Sequence, residues 1–312
     1  MVAVIIPIYN TQATLARCID SVLAQSMPAS EIVLVDDGSP DGAGAIADDY
    51  ARRYSHVKVI HKRNAGLAEA RRSGINATTQ PLVMHLDSDD TLPPDAVEYL
   101  YKKITEHNLD IAYGCYMRIP HSGKPYLIRH AREGVMTGDE FVELNMSLGS
   151  NNSSCCNMSR RSLWTDEVFP PAQDRVPSED ILINIKMGFK IGRAGQWNHP
   201  TYCYYYNPAS LSIAGTLWQL DKCKQYFAML EGILDSHGVL DLYRRHLHIL
   251  KVDRLAFYVK DIDLADPWVK AVLADHSHQA LPRKTRLLQR LLHTPRLLHA
   301  LIILNRWVKN RL

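Results

Sequence analysis

Through its first hundred residues the chain alternates short apolar runs with longer amphipathic stretches. Val2–Ile6 is continuously apolar and predicts a buried strand. Thr11–Gln25 sets Leu15, Cys18, Ile19, Val22 and Leu23 on one stripe at helical spacing and predicts a helix. Glu31–Val35, Val57–Ile60 and Leu82–Leu86 predict three further strands, and Gly42–Tyr54, Leu67–Ala77 and Pro93–Ile104 three further helices. Alternation of this kind, with strands apolar on both faces, predicts an α/β fold with a mostly parallel central sheet covered by helices on both sides. From about 110 to 215 the pattern is irregular and rich in Tyr and Asn. It turns helical from about Leu217 and shifts polarity at about Pro282.

In open sheets of this class ligands sit beyond the carboxyl ends of the strands. Those ends are Pro7-Ile8-Tyr9-Asn10, Asp36-Asp37-Gly38-Ser39, Arg63-Asn64-Ala65-Gly66 and Asp87-Ser88-Asp89-Asp90, and the predicted topology brings all four to one rim. Asp87 and Asp89 can project the same way from a strand end. Hard divalent cations take such oxygen ligands and bridge them to phosphates, which suggests a metal-assisted reaction on a phosphorylated substrate. The competing reading is an acidic turn in which Asp90 or Thr91 caps the helix after Pro93-Pro94. A carboxylate of Asp36-Asp37 could accept a hydrogen bond from a nucleobase or ribose, or could simply belong to a turn before the next helix. Gly66 allows close backbone approach, and Arg71, about two helical turns on, could reach a nucleotide or phosphate. Gly42-Ala43-Gly44 lies several residues beyond its strand, after two aspartates that would repel a pyrophosphate, so it does not read as a dinucleotide loop.

Further along, Ser178-Glu179-Asp180 precedes the apolar run Ile181–Ile185. Ser178 suits a helix N-cap, while a carboxylate at a helix start on a cleft rim can serve as a general base. Tyr202-Cys203-Tyr204-Tyr205-Tyr206-Asn207 alternates aromatic residues that could line a sugar site or pack against a sheet.

Composition bounds these readings. With 312 residues, 46% hydrophobic and 22% charged, the chain can bury one large core or two modest ones. Eight of its 36 Lys and Arg lie after Asp275, where there is no acid, which leaves 28 bases against 33 acids and a net −5 elsewhere. A basic tail on an acidic body points to an anionic partner. Leu287, Leu288, Leu291 and Leu292 recur at helical spacing beside Arg283, Arg286 and Arg290, followed by the apolar block 297–304 and Arg306-Trp307. That pattern suits a membrane interface and equally a helix pair packed on the body or on another copy in a homo-oligomer. Six cysteines without C-x-x-C spacing read as buried free thiols in a reducing compartment. No stretch is apolar for the ~20 residues that spanning a bilayer requires, and no signal peptide opens the chain, so a cytoplasmic protein, peripheral at the inner membrane face, is expected.

Taken in order, Pro7-Ile8-Tyr9-Asn10, Val35-Asp36-Asp37-Gly38-Ser39, Asn64-x-Gly66 with Ala70-Arg71, Leu86-Asp87-Ser88-Asp89-Asp90, Ser178-Glu179-Asp180 and Tyr204-Tyr205-Tyr206-Asn207 with Ser210-Leu211-Ser212 resemble the family 2 glycosyltransferases. These are inverting enzymes of the GT-A fold that use nucleotide-diphosphate sugars, and the likeness is strongest to bacterial members that build surface polysaccharides such as lipopolysaccharide or capsule. The resemblance implies a Rossmann-like GT-A catalytic domain over 1–215, with a nucleotide-sugar half to about 110 and an acceptor half beyond it. A helical region over 216–312 would carry the basic tail 282–312. It implies that Pro7 and Tyr9 line the nucleobase pocket, that Asp37 hydrogen-bonds the base, usually uracil, and that Asn64 and Arg71 complete the nucleotide site. Asp87-Ser88-Asp89 would be the DxD motif, with Asp87 near the ribose or sugar and Asp89 on Mn2+ or Mg2+. Asp180 would be the catalytic base and Glu179 its support or an acceptor contact. Arg72 stands where family members often have Asn. The expected reaction moves a sugar from a UDP-sugar to a hydroxyl of a surface glycan or its lipid-linked precursor, forming a β-glycosidic bond, with no nucleic acid partner. A sugar-phosphate nucleotidyltransferase would also need carboxylates and a metal, but usually shows a Gly-rich basic loop after the first strand. A non-catalytic nucleotide-sugar-binding scaffold would have lost the base or the metal ligands, and both are present.

Overall fold

Among the described residues nine strands form one sheet in the order β3 (Val57–His61), β2 (Glu31–Asp36), β1 (Val2–Ile8), β4 (Leu82–His85), β8 (Asn157–Arg160), β5 (Ile111–Ile119), β9 (Arg193–Tyr205) and β7 (Gly134–Thr137), with β6 (Tyr126–Ile128) paired to β5. The computed structural model describes residues 1–148, 153–170, 176–207, 219–257, 259, 262–275, 281–295 and 298. In chain order these are β1 (Val2–Ile8), α1 (Leu15–Leu23), β2 (Glu31–Asp36), α2 (Ala43–Arg53), β3 (Val57–His61), α3 (Leu67–Ala77), β4 (Leu82–His85), α4 (Ala96–His107), β5 (Ile111–Ile119), β6 (Tyr126–Ile128), β7 (Gly134–Thr137), α5 (Gly138–Asn145), β8 (Asn157–Arg160), α6 (Glu179–Gly188) and β9 (Arg193–Tyr205). Four helices follow: α7 (Leu220–Ser236), α8 (Leu240–Phe257), α9 (Pro267–Ala274) and α10 (Arg283–Leu292).

Two units divide the described chain. The first holds 1–145, 153–170 and 180–207, and the second 146–148, 176–179 and the residues from 219 onward. In the first, β1, β2, β3 and β4 are mutually parallel, and Ile8 pairs with Asp36, Asp36 with His61, and Ile5 with His85. That register ends β1, β2 and β3 level with one another and β4 opposite Ile5, so their following loops share one rim, as the β-α-β pattern predicts. Antiparallel β8 is inserted between β4 and β5, which makes β5 parallel to β4, and β9 runs parallel to β5. The carboxyl ends of β5 and β9 therefore point toward the same rim. This irregular half carries the antiparallel pairs, and its register was hidden because its strands are partly exposed and lack an apolar run.

One core layer packs α1, α2 and α4 on the sheet through Leu15, Ile19, Val22, Ala47, Leu100 and Ile104. The other packs α3, α5 and α6 through Ala70, Ile75, Phe141, Ile183 and Met187. α3 comes unusually close to β1, because a Cβ on Gly74 would overlap Ile5 Cγ2. Glycine here costs helix propensity and gains contact with the sheet.

In the second unit, α7 buries Cys223, Phe227 and Leu230, and α8 buries Leu247, Leu250 and Leu255. Asp266 caps α9, accepting from the amides of Trp268 at 2.8 Å and Val269 at 3.2 Å, with Pro267 opening the helix. α10 packs within this unit. Leu288 and Leu292 are buried, Leu291 is half-buried, and Gln289 donates to the Leu273 carbonyl at 2.9 Å, so half of the leucine stripe is used inside the unit. Arg283, Lys284, Arg286 and Arg290 stay exposed together with Leu287. Ser210-Leu211-Ser212, Arg306-Trp307 and, apart from Leu298, the apolar block 297–304 lie outside the described residues. Among the described residues no helix is long and apolar enough to cross a membrane, and all six cysteines are free thiols.

Gly74→Ala forces α3 away from β1 and is expected to lower stability by about 1–3 kcal/mol. The measurement is the urea midpoint of the full chain, and an unshifted midpoint would show that α3 is not pressed on the strand.

Candidate active site

Arg71 lies one turn before Gly74 on the sheet-facing side of α3, and its side chain is 2% exposed. The close approach of α3 sends the guanidinium beneath the rim. Its Nη2 donates to Asp87 Oδ1 at 3.0 Å and its Nη1 to Asp180 Oδ1 at 3.0 Å. A planar fork meets two carboxylates at once, a geometry that a lysine ammonium could not reproduce. Asp87 follows β4 and Asp180 is the second residue of α6, 109 positions after Arg71, so two elements distant in sequence converge on a group carried by a third. Arg72 points elsewhere, 3.5 Å from Glu69, with its guanidinium 5.0 Å from the Phe169 ring. The choice between the two arginines is thus decided by the helix phase.

Cys155 completes this cluster. Burial, then the charge of Asp87, pushes its thiol well above the usual range, and the protonated Sγ donates to Asp87 Oδ2 at 3.3 Å. His85 at the end of β4 is 1% exposed, and neither ring nitrogen has a hydrogen-bond partner. Burial and the nearby Arg71 charge push its imidazole well below the usual value, so it remains neutral and packs edge-on to Trp164. The sequence marks Cys155 only as one of six free thiols and His85 not at all, since a thiol and an imidazole at these positions carry no pattern of their own.

Asp37 is 3% exposed. Its Oδ2 accepts from the Gly66 amide at 2.7 Å and its Oδ1 from the Ala65 amide at 3.0 Å. It therefore ties the loop after β2 to the start of α3 and does not cap α2. Gly38 adopts φ 72, and a Cβ there would come within 3.0 Å of Asn64 N, so the close crossing of these two loops requires glycine. Asp36 turns inward to the Ser39 amide and His61. Burial raises its carboxyl, but the hydrogen bonds from Ser39 and His61 outweigh that and hold it below the usual value. On the same rim Pro7 is buried within β1, whereas Tyr9 and Asn64 are exposed.

The loop after β4 is held from several sides. Ser88 is buried and accepts from Thr11 Oγ1 at 3.0 Å, and Arg17 donates to the Asp89 carbonyl at 2.7 Å. Asp90 caps no helix. Its Oδ2 accepts from Tyr202 Oη at 2.7 Å and its Oδ1 from the Tyr205 amide at 2.7 Å, which pins the end of β9 to the loop. Thr91 pairs with Cys203 in an antiparallel bridge. α4 begins instead after Asp95, without a side-chain cap. Burial, with the charges of Asp87 and Asp89, pushes Asp90 up to about 8 against those two hydrogen bonds. Asp89 accepts from Asn207 Nδ2 at 2.8 Å. Burial raises its carboxyl; the Asn207 hydrogen bond opposes this and the Asp87 charge adds to it.

No group of three or more His, Cys, Asp or Glu suited to a metal is present among the described residues. Asp89 nevertheless fits the type of site in which one or two carboxylates hold a hard cation that is otherwise ligated by phosphates and water. Its anion is disfavoured by burial and by Asp87, and a cation would relieve both penalties. Asp180 offers Oδ2 on the side away from Arg71, and Glu179 beside it is partly exposed at the first position of α6. Ser178 enters that helix at φ 56, in the left-handed region, not in the extended conformation usual for an N-cap.

The model for glycosyl transferase family 2 matches residues 3–166, more than half of the chain. The chain is similar to the uncharacterized glycosyltransferase EpsJ of Bacillus subtilis (strain 168), 31% identical over 258 residues that cover 80% of this chain and 74% of EpsJ. It is also similar to the uncharacterized glycosyltransferase YibD of Escherichia coli (strain K12), 29% identical over 67% of this chain and 62% of YibD. Among solved structures, S. aureus TarS 1–349 in complex with UDP-GlcNAc shares the fold with a TM-score of 0.67 at 19% identity, over 95% of this chain and 87% of that one. With the parallel strands, the shared rim and the Arg71 cluster in place, these similarities make the chain a member of glycosyl transferase family 2 and a glycosyltransferase.

Proposed function

We propose that the protein transfers a sugar from a UDP-sugar to a hydroxyl of a bacterial surface glycan or its lipid-linked precursor, with inversion at the anomeric carbon. The observation that carries this reading is Arg71, which holds Asp180 and the carboxylate loop in one place. Asp180, its Oδ1 fixed by Arg71, takes the acceptor proton on Oδ2 as the acceptor oxygen bonds to the anomeric carbon and the bond to the diphosphate breaks. A single displacement of this kind turns an α-linked donor into a β-linked product and needs no nucleophilic carboxylate. Asp89, with Asp87 beside it, would hold Mn2+ or Mg2+, which when bound supplies positive charge to the departing diphosphate. Asp37, Asn64, Pro7 and Tyr9 are the rim groups for the nucleotide, with Asp37 acting chiefly by fixing the loop that presents Asn64. The UDP and UDP-GlcNAc complexes of TarS support a nucleotide-sugar donor of this type.

Membrane attachment is the second part of the proposal. The exposed Arg283, Lys284, Arg286 and Arg290 of α10 form a cationic face that suits anionic lipid headgroups, with Leu288 and Leu292 buried, Leu291 half-buried and Leu287 exposed.

Asp180→Asn retains the hydrogen-bond acceptor for Arg71 but cannot take a proton. Turnover should fall by roughly a hundred- to ten-thousand-fold, while thermal stabilisation by UDP persists; full turnover would remove the base assignment. Asp89→Ala should abolish the gain in UDP affinity on adding Mn2+, measured by calorimetry, and an unchanged gain would contradict its role. Reversing Arg283, Arg286 and Arg290 to Glu should release the protein from phosphatidylglycerol vesicles at a cost of about 1 kcal/mol of binding per residue. Undiminished co-sedimentation would clear α10 of that role.

A further inference from the structure

We propose that the sheet face formed by β5, β6 and β9 is the acceptor subsite, and that it takes a glycan carrying anionic groups; this rests on the glycosyltransfer reading above. Register places the residues. Across the three strands Tyr126, Arg118 and Tyr204 stand in one row, and Ile128, Tyr116 and Tyr202 in the next. Directly paired residues, and residues two apart on one strand, project from the same face. The rows therefore make one tyrosine-rich surface, and its inner end is fixed to the chemistry. Tyr202 is 1% exposed, its Oη donates to Asp90 Oδ2 at 2.7 Å, and the same oxygen accepts from the Asp87 amide at 3.3 Å.

From that anchor the face opens outward along the strands. Tyr116 and Tyr204 are half-buried with ring centroids 6.1 Å apart, and Tyr126 is 53% exposed. Just past β9, Tyr206 is 42% exposed, its ring 5.9 Å from that of His121, and its amide donates to the Ile119 carbonyl at 2.8 Å. Single exposed tyrosines need no explanation, but a connected series that starts at the carboxylate loop does. Each ring offers an apolar face and a polar tip, and a pyranose offers the same two features in its C–H face and hydroxyl rim. The series runs along the surface, so it suits several successive sugars of a chain better than one compact molecule.

Charge narrows the ligand class. Arg118 lies in the middle of the face with its guanidinium 4.3 Å from the Tyr204 ring centroid, and it makes no ion pair among the described residues. From Ile111 to Arg132 the sequence has no Asp or Glu, yet it contains Arg118, Lys124, Arg129 and Arg132. The hairpin is thus cationic in a chain whose bases, outside its tail, are outnumbered by acids. A guanidinium stacked on an aromatic ring with its edge left open is suited to a carboxylate or phosphate on the passing glycan.

The test uses the full chain with UDP and Mn2+ against three matched probes: neutral gluco-oligosaccharides, oligogalacturonates and phosphorylated gluco-oligosaccharides. At least one acidic class is expected to bind more tightly than the neutral one, and whichever does so separates carboxylate from phosphate. Arg118→Glu should weaken that binding by about tenfold or more. Tyr126→Ala, at an exposed position, should weaken acidic and neutral probes alike, and thermal stabilisation by UDP should survive both changes. Equal binding by Arg118→Glu, preference for the neutral probe, or no binding of either acidic class would overturn the proposal. So would a drop in sedimentation coefficient in Tyr126→Ala, which would make the face a contact between copies. Failure of the unaltered chain to be stabilised by UDP would instead count against the donor site, whatever the glycans do.

Discussion

A guanidinium buried to 2% exposure between two carboxylates is the constraint on which the rest of the structure depends. Removing three charges from water costs several kcal/mol each, and such clusters survive only when geometry and hydrogen bonding return most of that. Here both arms of Arg71 are used, each at 3.0 Å, and a protonated Cys155 thiol serves the other oxygen of Asp87. The arrangement is tolerated because Asp87 and Asp180 keep one side toward solvent, with 32% and 25% of their side chains exposed. A cation placed in this way fixes where α3, the loop after β4 and the start of α6 stand with respect to one another.

The rim is then assembled by carboxylates acting on backbone. Asp37 binds the amides that open α3, and Asp90 binds the amide of Tyr205 at the end of β9. Both are almost fully buried, and both join segments distant in sequence. Asp89 accepts from the side-chain amide of Asn207, and burial raises its carboxyl. The three acids of the loop after β4 thus divide, Asp87 bound to arginine, Asp89 to the Asn207 side chain and Asp90 to the end of β9.

The two halves of the sheet serve different ends. Its parallel half brings the strand ends to one rim, while the mixed half extends the surface from β9 outward across β5 and β6. The second unit uses Leu288 and Leu292 for its own interior, so that α10 presents mainly charge to solvent, with Leu287 beside it. In both regions the side chains that could meet a partner are those left over after packing is satisfied.

Local pattern alone determined the alternation of strands and helices through α4, the common rim, and the aspartates and Asn64–Arg71 segment that lie on it, because apolar periodicity and the β-α-β rule need only near neighbours. It also placed helix α3 at Leu67–Ala77, the span that the structure shows. What it left open was decided by contacts between distant residues. Arg71, not Arg72, turns inward because Gly74 lets α3 press on β1; Asp90 serves Tyr202 and Tyr205, not a helix end; and Cys155 and His85 join the site from positions with no motif. Leu288 and Leu292 of α10 pack inward because hydrophobic burial is non-directional and takes the nearest apolar surface, which a one-dimensional pattern does not reveal.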